Sequence, residues 1–229
     1  TAAAGGTPGA PNSVASQDND PPQLEQVLAE KQDSIVLYFN EELVTDTSKL
    51  QVDLSPPIGV QTATIRGSAL MLQLQGNLEP SLEYTISIKG LLDCAGNAIT
   101  ETQTAGFRLP DQPLPKDLII NEIMADPFEQ VGLPEGEFVE VYNRSEKYVS
   151  LSEFTLNGEP IAKLPILLAP QGYVILCSEV HEPAYLAHGP TIGLPTWDAL
   201  TNSGERIELR YSPDSLLIDE IEFTTSWYN

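Results

Sequence analysis

Hydrophobic and polar residues alternate with a period of two along most of this chain. Because successive side chains of a β-strand point to opposite faces, such alternation predicts strands with one apolar and one polar face. Strands of this kind pack as the two sheets of an antiparallel sandwich. In the first half the pattern is clearest in three apolar sets: Ile35, Leu37 and Phe39; Leu70, Leu72 and Leu74; Tyr84, Ile86 and Ile88.

Three predicted strands of the second half carry a carboxylate on their apolar face. Strict alternation places Glu122 and Glu140 between large apolar side chains and gives the last strand a third such acid, Asp219. A buried carboxylate is costly unless it has partners, so these positions are predicted to have a specific role. The apolar residues that share their faces are Ile120 and Met124, Phe138 and Tyr142, and Leu217, Ile221 and Phe223.

Length and composition favour two small β-domains. A chain of 229 residues fits two domains of about 100 to 120 residues each. Nineteen prolines and sixteen glycines, with almost no helical periodicity, favour many short strands and turns. The predicted fold class is therefore all-β, with two antiparallel β-sandwiches in tandem.

Residues 21–111 carry the motifs of one known family. The segments FNEELVTDTS and YTISIKGLLDCAGNAI resemble bacterial Ig-like domains of the S-layer-associated kind. The resemblance implies an Ig-like sandwich in which Asp93, Gly96 and Asn97 form a tight turn. These three residues are interpreted as structural rather than as metal ligands.

Residues 117–229 resemble a second family, after a short proline-containing connection. NEIMADP, GLPEGEFVEVYN and VSLSEFTL are similar to the lamin tail domain of bacterial surface and secreted proteins. Ser150 stands where that family usually has Asp, and Glu153-Phe154 replace Gly-Trp. The resemblance implies a β-sandwich and is nearly silent on function.

Residues 1–20 allow two interpretations. They are rich in small, turn-forming and polar residues, which is typical of a linker. Alternatively, GGTPGAPNS (5–13) resembles the closing motif of bacterial lamin tail domains. On that hypothesis the chain begins with the end of a preceding repeat, and its own tail-like domain is incomplete at the carboxyl end.

The charge of the chain limits its partners. The net charge is −22, and residues 112–229 alone hold 19 acidic and 6 basic side chains, a net charge of −13. Nucleic acids and anionic membranes require clustered Lys and Arg, so neither is an expected partner. Nor does any run approach eighteen apolar residues, so membrane insertion is not predicted. This acidity suits a soluble extracellular protein and could attract Ca²⁺. Together with the resemblance to bacterial families, it gives an expected location that is extracellular, at the cell surface or periplasmic in a bacterium.

Four acids of the second domain are the main candidates for chemistry: Glu122, Asp126, Glu137 and Glu140. Three interpretations remain open. They could form a structural hydrogen-bond network, a calcium site made of oxygen ligands, or a catalytic carboxylate pair. Calcium is the one candidate cofactor.

The histidines do not support a catalytic interpretation. In HEPAYLAH, His188 follows His181 by seven residues, and Pro183 interrupts the helix that a zinc-binding HExxH motif requires. No nucleophile motif accompanies them, so no catalytic residue is assigned and the chain is predicted not to be an enzyme.

The two cysteines, Cys94 and Cys177, lie in different predicted domains. The expectation is two buried free thiols. A disulfide between the domains is the alternative, and it would require the two residues to face each other at bonding distance.

These observations predict non-catalytic structural or adhesion modules of a larger secreted or cell-surface bacterial protein. Neighbouring domains of the same parent protein are the expected partners, with a surface protein or a polysaccharide as further candidates. The alternative is a glycan-binding or accessory module of a secreted hydrolase. Tyr185 and Trp197, near His181 in the long 179–202 connection, are the candidate ligand-binding rings, because sugar binding usually needs an open ring face.

Overall fold

The structure, a computed structural model, describes residues 18–128 and 132–224. These residues form an all-β protein with seventeen strands and one short α-helix. The chain divides into two compact units. The described residues of the first unit fall within Thr1–Val27, Asp33–Asn77 and Tyr84–Phe107, and those of the second within Leu28–Gln32, Leu78–Glu83 and Arg108–Asn229.

Seven strands precede residue 110 and form two sheets, one with the order β1-β2-β5-β4 and one with the order β3-β6-β7. The pairs β2–β5, β4–β5 and β3–β6 are antiparallel. The strands are β1 (Leu24–Lys31), β2 (Ser34–Phe39), β3 (Gln51–Ser55), β4 (Val60–Arg66), β5 (Ala69–Leu74), β6 (Glu83–Lys89) and β7 (Gln103–Arg108).

The apolar sets predicted from alternation are the core of these sheets. All nine predicted residues on β2, β5 and β6 are at most 3% exposed. The cross-strand pairs Ile35–Leu72 and Leu37–Leu70 join the sets of β2 and β5 within one sheet. The expectation of strands with one apolar face is therefore confirmed.

The turn predicted after β6 is built by a buried aspartate. The Asp93 carboxylate is 1% exposed and accepts hydrogen bonds from the Asn97 backbone N–H at 2.8 Å and the Asn97 side-chain amide at 2.7 Å. Gly96 has φ of 96°, a left-handed conformation that glycine adopts without a steric penalty. The tight turn predicted for these three residues is confirmed, and their interpretation as structural residues rather than metal ligands stays a prediction.

In the described part of the chain, ten strands, one α-helical turn and one 3-10 turn (Leu151–Glu153) follow residue 117. They form sheets with the orders β15-β14-β9-β8 and β12-β11-β16-β17, and the small pair β10-β13. The elements are β8 (Leu118–Met124), β9 (Phe138–Asn143), β10 (Val149–Ser150), β11 (Phe154–Leu156), β12 (Glu159–Pro160), β13 (Leu167–Leu168), β14 (Tyr173–Ser178), α1 (Glu182–Tyr185), β15 (Thr191–Leu194), β16 (Arg206–Tyr211) and β17 (Leu216–Glu222). The strand pairs whose register is defined are antiparallel, except that β14 pairs in parallel with β15.

β9 is buried on its inner face throughout and on its outer face at its first residue. Val139 and Val141 are 0% exposed and belong to the main core between the two four-stranded sheets. On the opposite face Phe138 packs in a smaller cluster with Cys177 of β14 and Tyr185 of α1. The single turn of α1 thus covers the outer face of the sheet at Phe138, whereas Glu140 and Tyr142, farther along that face, are only half-buried.

A β-bulge in β8 changes the face predicted for Glu122. Ile120 is buried in the main core, but the register shifts between Ile120 and Glu122, which lies opposite Glu140. After the bulge Ile123 packs on the main core and Met124 on the outer cluster. The prediction that Ile120, Glu122 and Met124 share one face was wrong, because a bulge inserts one residue and reverses the alternation.

A second bulge corrects the prediction for β17. Arg210 lies opposite Leu217 while Leu209 lies opposite Asp219, so Ile218 is an extra residue in the ladder. Ile218 is 1% exposed in the core, whereas Leu217 is only half-buried. The expectation that Leu217 shares the core face with the later apolar residues of this strand was therefore wrong for the same reason.

Asp219 lies at this bulge and connects the two four-stranded sheets at one flank. Its carboxylate accepts hydrogen bonds from the Ile120 N–H of β8 at 2.7 Å and the Glu220 N–H at 2.9 Å, and it pairs with the Lys116 ammonium. The Lys116 N–H also donates to the Ile218 carbonyl at 2.7 Å. The flank formed by β8 and β17 is therefore closed, and Asp219 has the specific partners that its burial requires.

Candidate functional site

The structure brings together two of the four predicted calcium ligands. Glu122 and Glu140 are cross-strand partners on β8 and β9. Glu122 is exposed, and half-buried Glu140 accepts a hydrogen bond from the Asn121 side-chain amide at 2.8 Å. The pair lies on the outer face of the sheet, where both carboxylates can remain hydrated.

The other two predicted ligands lie in different surroundings. Glu137 accepts hydrogen bonds from the Trp197 indole N–H and the Leu200 backbone N–H, both at 2.9 Å, so its carboxylate fixes the 195–202 segment. Asp126 is exposed beyond the end of β8. Among the described residues, no three of the four predicted ligands bring their oxygens within 4.8 Å of one another. Calcium binding by this set stays a prediction.

Within the described ranges, the acids that the structure gathers most closely lie in the first unit. One side-chain oxygen each from Asp18, Glu41 and Asp93 lies within 4.8 Å of the other two. Burial and the neighbouring charges of Asp93, Asp18 and Asp20 raise the pKa of Glu41, whereas hydrogen bonds from Asn97 outweigh burial and lower the pKa of Asp93. The group could hold a cation, which would relieve this repulsion. Sequence analysis missed it because the three acids are far apart in the chain.

The two rings predicted to bind a ligand are engaged inside the second unit. Tyr185 is 1% exposed, and its hydroxyl donates to the Gly136 carbonyl at 2.6 Å. Burial, with the negative charges of Cys177 and Glu122, raises the pKa of Tyr185 to about 12. Trp197 is half-buried and is held through its N–H by Glu137. Tyr185 thus has no open ring face.

A different pair of aromatic rings is accessible. Tyr142 of β9 and Tyr173 of β14 are cross-strand partners whose rings stack with centroids 4.3 Å apart and an interplanar angle of 22°. Tyr173 is 44% exposed, and the Tyr142 hydroxyl is hydrogen-bonded to the Gln171 side chain. Alternation placed Tyr142 on one face with Phe138 and Glu140, but the register that brings Tyr173 beside it could not be derived from the sequence.

The residue at the potential glycosylation position is buried. Asn143, in the sequence Asn-Arg-Ser, is 0% exposed, and its amide donates to the carbonyls of Lys147, Leu168 and Ala169 at 2.8, 3.2 and 3.0 Å. Its oxygen accepts from the Ser145 hydroxyl at 2.7 Å. Asn143 therefore anchors the 144–148 turn.

The two cysteines are free thiols in different environments. Cys177 is buried as expected, and burial raises its thiol pKa to about 11. Cys94 is exposed beside the Asp93 turn, so the expectation that it is buried was wrong. Neither forms a disulfide.

The flank opposite Asp219 contains a groove of about 650 Å³ between the two sheets of the second unit. One wall is β12 and the segment after it, and the other is β15 with its neighbours. Leu164 and Ile166 form part of the first wall and are 66% and 42% exposed. Sequence analysis did not identify this groove, because the 179–202 connection was interpreted as a loop and β15 was not predicted.

None of the helices among the described residues is long and apolar enough to cross a membrane.

Comparisons with known proteins give a family match for the first half of the chain. Alkane uptake protein B of Marinobacter nauticus is 34% identical over 82 residues, which are 34% of this chain and 8% of that protein. The N-terminal part of the bacterial S-layer protein SbsC superposes with a TM-score of 0.37 at 14% identity, over 89% of this chain and 43% of that structure. Domains 1–6 of SbsC give a TM-score of 0.36 at 14% identity, over 89% and 40%. The chain thus spans less than half the length of each of these proteins. Residues 14–108 match the family model of the bacterial Ig-like domain.

Proposed function

We propose that this chain is a pair of non-catalytic modules of a larger secreted or cell-surface bacterial protein, where it serves as spacer and adhesion modules. The observation that carries the proposal is the bacterial Ig-like match over residues 14–108. The polar chemistry of the second unit supports it. Asp219, Asn143, Glu137 and Tyr185 all use their polar atoms to hold strands and loops in place.

We infer that the second unit is of the lamin-tail type. Its three family-like segments lie on β8, on β9, and on β10 with β11, and they contribute to the sheets that enclose the main core. The Glu-Phe pair that departs from the family pattern supports this arrangement, because Phe154 is 0% exposed in that core. A large aromatic side chain thus fills the core at the position where the family usually has tryptophan.

Localisation tests the proposal directly. An antibody raised against this chain should label intact bacteria that carry the parent gene, or detect the protein in the culture medium. Periplasmic protein would be labelled only after the outer membrane is made permeable. Labelling that requires lysis of the inner membrane would contradict the proposal.

The absence of turnover is the second test. The purified chain should not hydrolyse ester, peptide, phosphodiester or glycoside substrates, because no nucleophile–base pair was identified in its sequence. The decisive variants are Glu122→Gln and Glu140→Gln, which change the carboxylate pair that faces across β8 and β9. Activity that is lost in either variant while its melting curve stays unchanged would show that the chain is an enzyme.

A glycan-binding role is the second candidate, and the exposed Tyr142–Tyr173 pair favours it. Stacked rings on an open sheet face offer an apolar surface to a sugar ring, and Gln171 and Glu140 lie beside them as polar groups. Affinity electrophoresis in gels that contain soluble polysaccharides would show retardation that Tyr173→Ala removes. Equal mobility of the two proteins in every gel would exclude this role for the tyrosine pair.

A further inference from the structure

The groove on the open flank of the second unit is bounded by two edge strands. In the described part of the chain, β12 has one strand neighbour, β11, and β15 has one, β14. Edge strands leave backbone N–H and C=O groups available to pair with another segment. The groove thus offers main-chain hydrogen bonds as well as apolar side chains.

β15 is the edge better suited to pairing. The Pro190 carbonyl accepts a hydrogen bond from the Ile175 N–H of β14 at 2.8 Å, and the Leu194 carbonyl accepts one at 3.1 Å from Glu179, the residue that follows β14. Because alternate residues of a strand direct their peptide groups to opposite sides, Thr191 and Gly193 direct theirs away from β14. In β12, by contrast, Pro160 has no N–H to donate.

Apolar side chains line the rest of the groove. Ile161 at its base is 1% exposed and continuous with the core, and Ile192 packs against the same core. Leu164 and Ile166 extend this surface outward to the rim. An occupant that places apolar side chains at alternate positions would cover these residues while its backbone pairs with β15, as in β-strand addition.

The charges around the groove restrict the occupant further. Glu159 and Glu179 line it with a single cation, Lys163, and Glu182 lies against Gly193. An acidic segment would be repelled, whereas an uncharged or basic one would be attracted. A second copy of this chain is disfavoured for the same reason, because each copy carries a net charge of −22.

We propose that the groove between β12 and β15 binds an extended segment of a partner protein by strand addition to β15. The bound segment has apolar side chains at alternate positions and no acidic residues. This assigns to the second unit a binding surface that a spacer does not require. The binding experiment that tests this proposal does not depend on the cellular location of the parent protein.

A binding titration with defined peptides tests the proposal. The probe is a fluorescein-labelled nonapeptide with lysine at both ends and alternating valine and threonine between them, titrated with the full 229-residue protein and followed by anisotropy. We expect saturable binding with a Kd below about 1 mM. Replacing both lysines by glutamate should weaken binding at least about tenfold, because the acidic groove repels the peptide. Methylating alternate backbone nitrogens should weaken binding by a similar factor, because the peptide can then no longer form main-chain hydrogen bonds with β15.

Protein variants locate the site. Leu164→Ser combined with Ile166→Ser should weaken binding about tenfold, because both residues form the rim. Leu186→Ser is the matched control, since Leu186 is 58% exposed and lies outside the groove, and it should bind as the unmodified protein does. Melting curves of all variants establish that they remain folded.

Three outcomes would overturn the proposal. One is that neither the lysine peptide nor the same peptide with uncharged ends shows saturable binding. Another is equal affinity of the rim variant or of the methylated peptide, which would show that neither the groove nor strand pairing is involved. The third is dimerisation in analytical ultracentrifugation that the rim variant abolishes, which would make a second copy the occupant.

Discussion

Removing the Asp219 carboxylate is expected to destabilise the second unit by about 2–4 kcal/mol. The substitution Asp219→Ala deletes the acceptor of the Ile120 N–H, and Ile120 is only 6% exposed. A buried donor left without a partner costs about 1–3 kcal/mol. The bond to the Glu220 N–H adds a smaller amount. The pair with Lys116 adds less than about 1 kcal/mol, because the Lys116 side chain is 58% exposed and hydrated.

Two further substitutions separate these contributions. Asp219→Asn retains an oxygen that can accept from Ile120 and loses mainly the charge, so it should cost about 1 kcal/mol. Glu220→Ala removes the neighbouring exposed acid, whose side chain is 42% exposed and pairs with Arg206. It should change stability by less than about 1 kcal/mol, as surface ion pairs do.

Thermal unfolding and hydrogen exchange provide the measurements. For a unit of this size, 2–4 kcal/mol corresponds to a fall of roughly 10 °C in the Tm of its transition. Exchange of the Ile120 amide reports the bond itself, and its protection should fall in Asp219→Ala more than in Asp219→Asn. If Asp219→Ala unfolds within about 0.5 kcal/mol of the unmodified protein, or if the Ile120 amide remains fully protected, Asp219 does not connect the two sheets as described.

Three more predictions concern the first unit and the thiols. Because the pKa of the Asp93 carboxyl is lowered in the folded state, its contribution to stability is present above its unfolded pKa of about 3.9 and is lost as pH falls through the lower folded value. In denaturant titrations at several pH values, Asp93→Asn should therefore reduce the loss of stability at acid pH. If the group of Asp18, Glu41 and Asp93 binds Ca²⁺, about 5 mM calcium should raise the Tm of the protein. Glu41→Gln should remove that increase, and Glu140→Gln should retain it. An increase that Glu140→Gln removes and Glu41→Gln retains would favour the predicted site in the second unit. A thiol reagent should modify Cys94 within the native protein and Cys177 only on unfolding, and rapid modification of both would contradict the buried position of Cys177.

The agreement between sequence and structure depends on uninterrupted alternation. It predicted the buried residues of β2, β5 and β6, because those strands run without an irregularity over the predicted sets. It failed in β8 and β17, because a bulge inserts one residue without any local signal in the pattern and reverses the faces that follow. At the position of Glu122 this changed a predicted buried carboxylate into an exposed one.

Long-range contacts were beyond the reach of the sequence. β15 has only four residues, Thr-Ile-Gly-Leu, and pairs in parallel with β14, so neither its length nor its pattern distinguished it from a loop. From the sequence alone, it could not be decided which of Glu122, Asp126, Glu137 and Glu140 have a structural role and which are free to bind a ligand. Only the fold shows that Glu137 holds Trp197 while Glu140 lies across from Glu122.

The closed flank has a mechanical consequence. Tension that enters the second unit through β8 and leaves through β17 acts on two strands that belong to different sheets. The load is therefore borne first by the bonds between them, the Asp219 carboxylate to the Ile120 N–H and the Lys116 N–H to the Ile218 carbonyl. The sheets can be pulled apart along this direction only after these bonds break, so the force needed to separate them is set at this flank rather than in the core.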